Sequence, residues 1–401
     1  MTFSDGMPWA RPRRGPAPRQ MLLRTSAPAD GGHAAGTLLS QLRFAFVMTL
    51  LLWLVFFLLG MAFSGRIFQN GIPGRLTLLT TPGRSGAAYY IFLSRFPVSA
   101  PESYIAYLSL YPVALGLLAR LGCPSAAAAL LLSFSGTVFG LAAVQAIVDD
   151  GGRHAAARRA VCYIMLSPVS FYFLNGYSEG FFFGLSAWCL LCARRGMWGQ
   201  AGIFGALASL TRVTGVFLLI GVVIEYVQQP RCSRRPQDLA PLMMIAAAAA
   251  CLVLYPVIAL GSTYSLIGIE NHLYGRFWAT PWHAALLAVR AMCASSLPLS
   301  LLDASKLLAA GCWLALLLLG WRRLPTSLWA YLACGGILLC NVTHLFAVPW
   351  WSLDRFLTVL FPGAIVLAML EFRPKWHWLL WVLSAMCLAV EWALFVNGYW
   401  G

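Results

Sequence analysis

Long apolar stretches broken by short polar loops set the rhythm of this chain. The first stretch, residues 44–63 (FAFVMTLLLWLVFFLLGMAF), carries no charge. At ~1.5 Å per helical residue it covers the ~30 Å of bilayer hydrocarbon. It is too long for the core of a signal peptide, and no small-residue cleavage site follows it, so it predicts an uncleaved anchor. Further apolar runs lie at about 104–121, 126–148, 160–174, 177–193, 200–229, 240–260, 284–320, 325–346, 356–371 and 376–396. Apolar runs of this length are membrane-spanning helices before they are anything else. The run at 200–229 reads as a tight hairpin turning near Thr211-Arg212-Val-Thr-Gly215.

The loops fall into two kinds. One kind is rich in bases: Arg153/Arg158/Arg159, Arg194/Arg195, Arg231/Arg234/Arg235, Arg322/Arg323 and Arg373/Lys375. The other holds aromatic residues, Asn, Ser and Pro: Asn175-Gly-Tyr-Ser-Glu179, residues 261–283, and Val348-Pro-Trp-Trp-Ser-Leu-Asp354. Basic loops stay in the cytoplasm. All the basic loops fall on that side only if one of 104–121 and 126–148 fails to cross. The first of these holds Tyr104, Tyr107, Ser109, Tyr111 and Pro112 and ends at Arg120, so it is expected to lie at the outer leaflet. The predicted fold is an all-α integral membrane protein of about eleven transmembrane helices. Its N-terminus is expected in the cytoplasm and its C-terminus outside, in a multi-pass plasma (inner) membrane protein. Residues 1–41 form a basic tail with too few large apolar residues to fold alone. Residues 42–401 form the membrane domain, with a long first extracytoplasmic loop at 64–125. No internal repeat is visible, which speaks against a two-halved transporter.

Composition agrees with this reading: 60% of residues are hydrophobic and 10% charged. An average soluble domain carries ~25% charge. The formal net charge is +15, from 28 Lys and Arg against 13 Asp and Glu. In a soluble chain that excess would suggest nucleic acid. Here most bases sit in the tail and the basic loops, so no nucleic-acid partner is expected. The cysteines number 11 and lie mostly inside apolar runs, against a disulfide framework.

Polar residues gather on the opposite face. Glu102, Glu179, Glu270 and Asp354 map there, with Arg212, Arg276 and Arg355. Tyr177, His272, Tyr274, Trp278, Trp282, His344, Trp350 and Trp351 surround them. Taken singly, each has a plainer reading. Trp and Tyr form interfacial belts, Arg212 can snorkel, Asp354-Arg355 can pair locally, and Glu179 suits a helix N-terminus. Together they suit an anionic, sugar-bearing lipid. Arginine holds phosphate, aromatic faces stack on sugar, and a carboxylate takes a hydroxyl proton. No acids or histidines have metal-ligand spacing on one helix, and there is no P-loop or dinucleotide loop, so neither metal nor cofactor is expected.

Several of these stretches resemble the PIG-V-like mannosyltransferases, polytopic glycosyltransferases of the GT-C class. Leu110-Tyr111-Pro112 is similar to the family's F-P-L-Y-P segment. Ser167-Pro168 with Asn175-Gly-Tyr177-Ser178-Glu179 resembles its S/N-P…Y-S-E motif, and Thr211-Arg212-Val-Thr-Gly215 its T-R-x-x-G. Asn271-His-Leu-Tyr274-Gly275-Arg276 with Pro281-Trp282 is similar to Q-x-x-W-G-R…P-W. Ser352-Leu-Asp354-Arg355-Phe356 with Phe361-Pro362 resembles S-x-x-R-Y…F-P. The stretches come in the family's order over about 85–370. The resemblance implies a GT-C-like fold and mannosyl transfer from a polyprenyl-phosphate-linked sugar donor to a lipid or glycan acceptor outside the cytoplasm. It implies Arg212, Arg276 and Arg355 at the donor phosphate, and Tyr177, Ser178, Asn271, Tyr274, Trp282 and Asp354 at the sugar or acceptor.

One departure matters. The family carries Trp-Asp in the first outer loop, and that Asp is its expected base. Here Arg84-Ser85 stands in its place, and no acid occurs between Asp30 and Glu102. The base then falls to Glu179 or Glu102. The alternative is a catalytically impaired lipid-glycan binder or transporter of the same fold.

Overall fold

The computed structural model describes residues 31–63, 86–95, 107, 109–150, 152–230, 235–295, 297–344 and 349–396. Glu102 and the Arg84-Ser85 pair lie outside the described residues. Among the described residues the regular structure is helical apart from one two-stranded ribbon. In order come α1 (Gly31–Phe63), α2 (Gly86–Arg95), α3 (Leu110–Arg120), α4 (Ser125–Asp149), α5 (His154–Met165), α6 (Ser178–Arg194), α7 (Trp198–Thr211) and α8 (Leu218–Gln228). Then follow α9 (Ala240–Leu260), α10 (Leu266–Tyr274), β1 (Arg276–Trp278), α11 (Pro281–Ala294), α12 (Leu297–Gly320) and α13 (Thr326–Cys340). The chain closes with β2 (Val342–His344), α14 (Leu353–Thr358), α15 (Pro362–Met369) and α16 (Pro374–Val396).

Among the described residues, 5 helices are long and apolar enough to cross a membrane: Thr37–Leu59, Ser125–Asp149, Gln237–Ile258, Asp303–Gly320 and Pro374–Phe395. Their outer faces expose Leu51, Leu58, Met243, Ile258, Leu318 and Met386, an apolar surface that needs lipid around it. The other predicted spans are shorter. The run at 284–320 is two helices, because the chain leaves helix at Ser295 and Pro298 occupies the first turn of α12. The run at 356–371 is broken between α14 and α15, where Pro362 opens a new helix. Helix α3 has 11 residues, ~16 Å, too short to cross hydrocarbon. Helix α1 begins at Gly31, inside the stretch read as an unfolded tail. Ala34, Ala35, Leu38 and Leu39 there are strong helix formers.

Ion pairs collect the basic loops at one end of the bundle. Arg195 meets Asp150 at 3.0 Å, Arg194 meets Glu225 at 3.0 Å, and Glu225 also accepts from Ser327. Gln41 of α1 reaches Asp149, and Arg159 donates to the carbonyl of Ala368. The chain reverses at Arg212, and the start of α7 packs on the end of α8 through Trp198 and Tyr226, so 198–228 forms the hairpin read from the sequence. Deep in α16, Glu391 is met by Ser305 and Lys306 of α12.

Glycines set the central helix pair. A Cβ on Gly136 of α4 would stand 2.6 Å from the Gly180 carbonyl oxygen of α6, and one on Gly184 2.5 Å from the Gly136 carbonyl. Backbones this close are the small-xxx-small packing of membrane helices. Before α6 the chain is not α-helical, and α4 satisfies it. Thr137 donates to the Phe173 carbonyl, and Ser133 accepts from the Gly176 amide. Tyr111 of α3 donates to the Gly176 carbonyl at 2.9 Å. Buried irregular backbone requires such internal partners.

Candidate functional site

A cavity of about 630 Å³ opens at the end of the bundle away from the basic loops. It is lined by Tyr177, Arg212, Glu270, Asn271, Arg276, His344 and Arg355, among others. Segments distant in sequence therefore meet here.

Glu179 and its two arginines form one wall. Glu179 sits in the first turn of α6, placed there by the satisfied turn at Gly176. Arg212 terminates α7 in extended conformation, and the Gly215 amide bonds back to its carbonyl at 2.8 Å. A Cβ on Gly215 would stand 2.6 Å from Ser209, so this tight reversal needs glycine. The Arg212 guanidinium donates to Glu179 Oε1 at 2.6 Å and to Ser178 Oγ at 3.3 Å. Arg355 of α14 meets the same Oε1 at 3.0 Å. Its guanidinium lies over the rings of Tyr172, Tyr177 and Phe356 at 5.0, 5.2 and 4.7 Å. Two cations thus share one carboxylate. Both arginines remain 15% exposed and line the cavity, whereas Glu179 is 1% exposed and lies behind them. The residue before α14, Ser352, holds φ 62, the positive-φ position outside glycine among the described residues. Such a conformation costs of order 1–3 kcal/mol and persists where the surroundings enforce it, as at binding sites. Ser352 lines the cavity.

The ribbon forms the opposite wall. Strands β1 and β2 pair antiparallel, with Arg276 opposite His344. Arg276 Nε donates to His344 Nε2 at 3.1 Å, and its terminal nitrogen meets Glu270 at 2.6 Å. Burial pushes the Glu270 carboxyl above the usual carboxylate range, against the opposing pull of Arg276 and Arg212. His344 is held by its amide to the Pro349 carbonyl, and Trp350 donates to the Cys340 carbonyl at 3.2 Å.

The predicted site residues divide. Arg212, Arg276, Arg355, Tyr177 and Asn271 line the cavity together. Ser178, Glu179 and Asp354 are buried behind its surface. Asp354 Oδ1 accepts from the Arg355 amide at 2.8 Å. Trp282 is exposed at the start of α11 and does not line the cavity. Tyr274 ends α10. Glu102 lies outside the described residues.

A tyrosine cluster was not among the predicted site residues. Tyr89 stacks on Tyr107 at 4.7 Å, and Tyr90 meets Tyr107 and Tyr111 edge-on. Tyr90 shares a hydrogen bond of 3.1 Å with Ser178. Burial pushes the Tyr107 phenol up to about 12 and raises that of Tyr90, so both stay protonated as neutral donors. The sequence signal was the density of Tyr, at 89, 90, 104, 107 and 111. Among the described residues no group of three His, Cys, Asp or Glu side chains converges on a metal position.

No protein-family model, no curated protein and no solved structure matches this chain.

Proposed function

We propose that the chain is a multi-pass membrane glycosyltransferase. It would move a hexose, mannose in the family it resembles, from a polyprenyl-phosphate carrier to a lipid or glycan acceptor. The observation that carries this reading is the wall where Arg212 and Arg355 face the cavity while sharing the single carboxylate of Glu179. That wall has a positive excess positioned for a phosphate, and Tyr172 and Tyr177, whose rings carry the Arg355 guanidinium, line the cavity beside it. The departing group would be a prenyl phosphate, whose growing charge such preorganised donors stabilise. About eleven passes, with the basic end cytoplasmic and the cavity on the outer side of the plasma membrane, belong to the same proposal.

The test is transfer of labelled mannose from polyprenyl-phosphate mannose in vesicles holding the full chain. Arg355→Ala and Arg212→Ala should each lower transfer by about 100-fold or more, the scale of losing one charge-stabilising donor. Full activity in both variants would sink the assignment. A glycolipid binder without turnover is favoured by one observation, the engagement of Glu179 by two arginines, which leaves it unsuited to take a proton. Under that reading the donor lipid is bound and recovered intact.

A further inference from the structure

We infer that Glu270 is the general base of this cavity, with Arg276 and His344 as its positioning residues. The inference rests on the transferase reading above. Among the described residues Glu270 is the carboxylate that lines the cavity, since Glu179 and Asp354 are turned behind it. Its side chain is 26% exposed, open to an acceptor yet sheltered from bulk water.

The local fold holds it there. Helix α10 is capped at its start by Ser265, whose hydroxyl accepts from the Gly268 amide, and stopped by left-handed Gly275. The chain passes directly into β1, which is fastened to β2. Arg276 is thereby fixed beside Glu270, and its Nε is engaged by His344, which leaves the terminal nitrogen for the carboxylate. Asn271, the next residue, also faces the cavity and can orient a hydroxyl. A carboxyl raised by burial is a stronger base than a surface glutamate, and Arg276 pulls against that rise.

The step balances without a co-reactant. The Glu270 carboxylate takes the proton of the acceptor hydroxyl, whose oxygen forms a bond to the anomeric carbon. The bond from that carbon to the phosphate oxygen breaks, and its electron pair leaves on the prenyl phosphate facing Arg212 and Arg355. A single displacement of this kind inverts the anomeric carbon.

The groups facing Glu270 are Arg276 from β1, Arg212 from the turn after α7, and Tyr107 ahead of α3; His344 of β2 acts through Arg276. The active form is the carboxylate, so activity is lost as pH falls through a value above that of an ordinary glutamate. The test uses the full chain in lipid nanodiscs with polyprenyl-phosphate mannose. Glu270→Gln should lower transfer about 100-fold or more, keep donor-lipid affinity within about twofold, and abolish the acid limb of the pH profile. If that variant does not fold, Glu270→Asp carries the test: its transfer must fall and its acid limb must move. Unchanged transfer in the folded variant, or equal losses of binding and transfer, overturns the base. A wild-type chain that binds the donor and transfers nothing overturns the transferase reading and the base with it.

Discussion

Glu179 is a buried carboxylate whose charge is answered by two guanidiniums on one oxygen. Taking away one partner of a buried ion pair costs about 3–5 kcal/mol, because the charge left behind has no counterpart. Glu179→Gln should therefore lower the melting temperature of the detergent-solubilised chain. It also leaves Arg212 and Arg355 facing the cavity with no carboxylate between them, so a phosphate-bearing lipid should recover much of the loss. A variant that melts like the wild type, or that gains nothing from the lipid, would show that the arginines do not depend on this carboxylate. At this scale segments that the sequence grouped on one face do meet: Ser178-Glu179, Thr211-Arg212 and Asp354-Arg355. It could not show that Glu179 lies behind its arginines rather than on the cavity surface. That depends on the rotation of α6 about its own axis, which tertiary packing sets and an apolar run with little periodicity does not reveal. Glu270 was visible as an acid on the right face, but its partner Arg276 is reached only through the turn at Gly275.

The packing that orients α6 is the close approach of α4. The backbone around Gly136 sits against Gly180 and Phe181, leaving no room for a side chain. Gly136→Ala must push the helices apart. Overpacking of this kind costs about 1–3 kcal/mol, and it should also move the start of α6, and with it Glu179. Gly311 of α12 is the control, since a Cβ there meets nothing within 4 Å. In a helix interior alanine is favoured over glycine by about 0.5–1 kcal/mol, so Gly311→Ala should be neutral or slightly stabilising. Thermal unfolding of both variants in one detergent checks the pair, and equal behaviour would show that the α4–α6 contact is not tight. The same helices show what pattern reading can and cannot reach. The long runs of α1, α4, α9 and α16 were legible because length and hydropathy suffice for them. The breaks at Ser295 and Pro362 fell inside continuous apolar sequence, where hydropathy does not register a change of direction.

Over the whole molecule, charge sorts by position. Arg159, Arg194 and Arg195 belong to the end where Asp149, Asp150 and Glu225 are paired. The cavity, with its aromatic and carboxylate residues, occupies the other end. This separation was readable before any coordinates, because loop composition reports the side on which a loop stays. Helix lengths were not, since several of the runs read as spans fold as helices shorter than ~30 Å, with 3-10 turns at Ser170–Phe173 and Val213–Phe217. A membrane oriented by the charge rule puts the basic end in the cytoplasm and the ribbon outside. Trp278 of β1 is exposed beside the cavity, and Arg235 is exposed at the basic end. A cysteine introduced as Trp278→Cys should react in intact cells with a maleimide that cannot cross membranes. One introduced as Arg235→Cys should react only after the membrane is opened. Native cysteines such as Cys251, Cys312 and Cys387 lie on the apolar helices and set the background, which the unsubstituted chain measures. Labelling of both positions from the same side would break the two-ended arrangement. Labelling of Arg235→Cys alone in intact cells would invert it and place the cavity where a donor made in the cytoplasm is met directly.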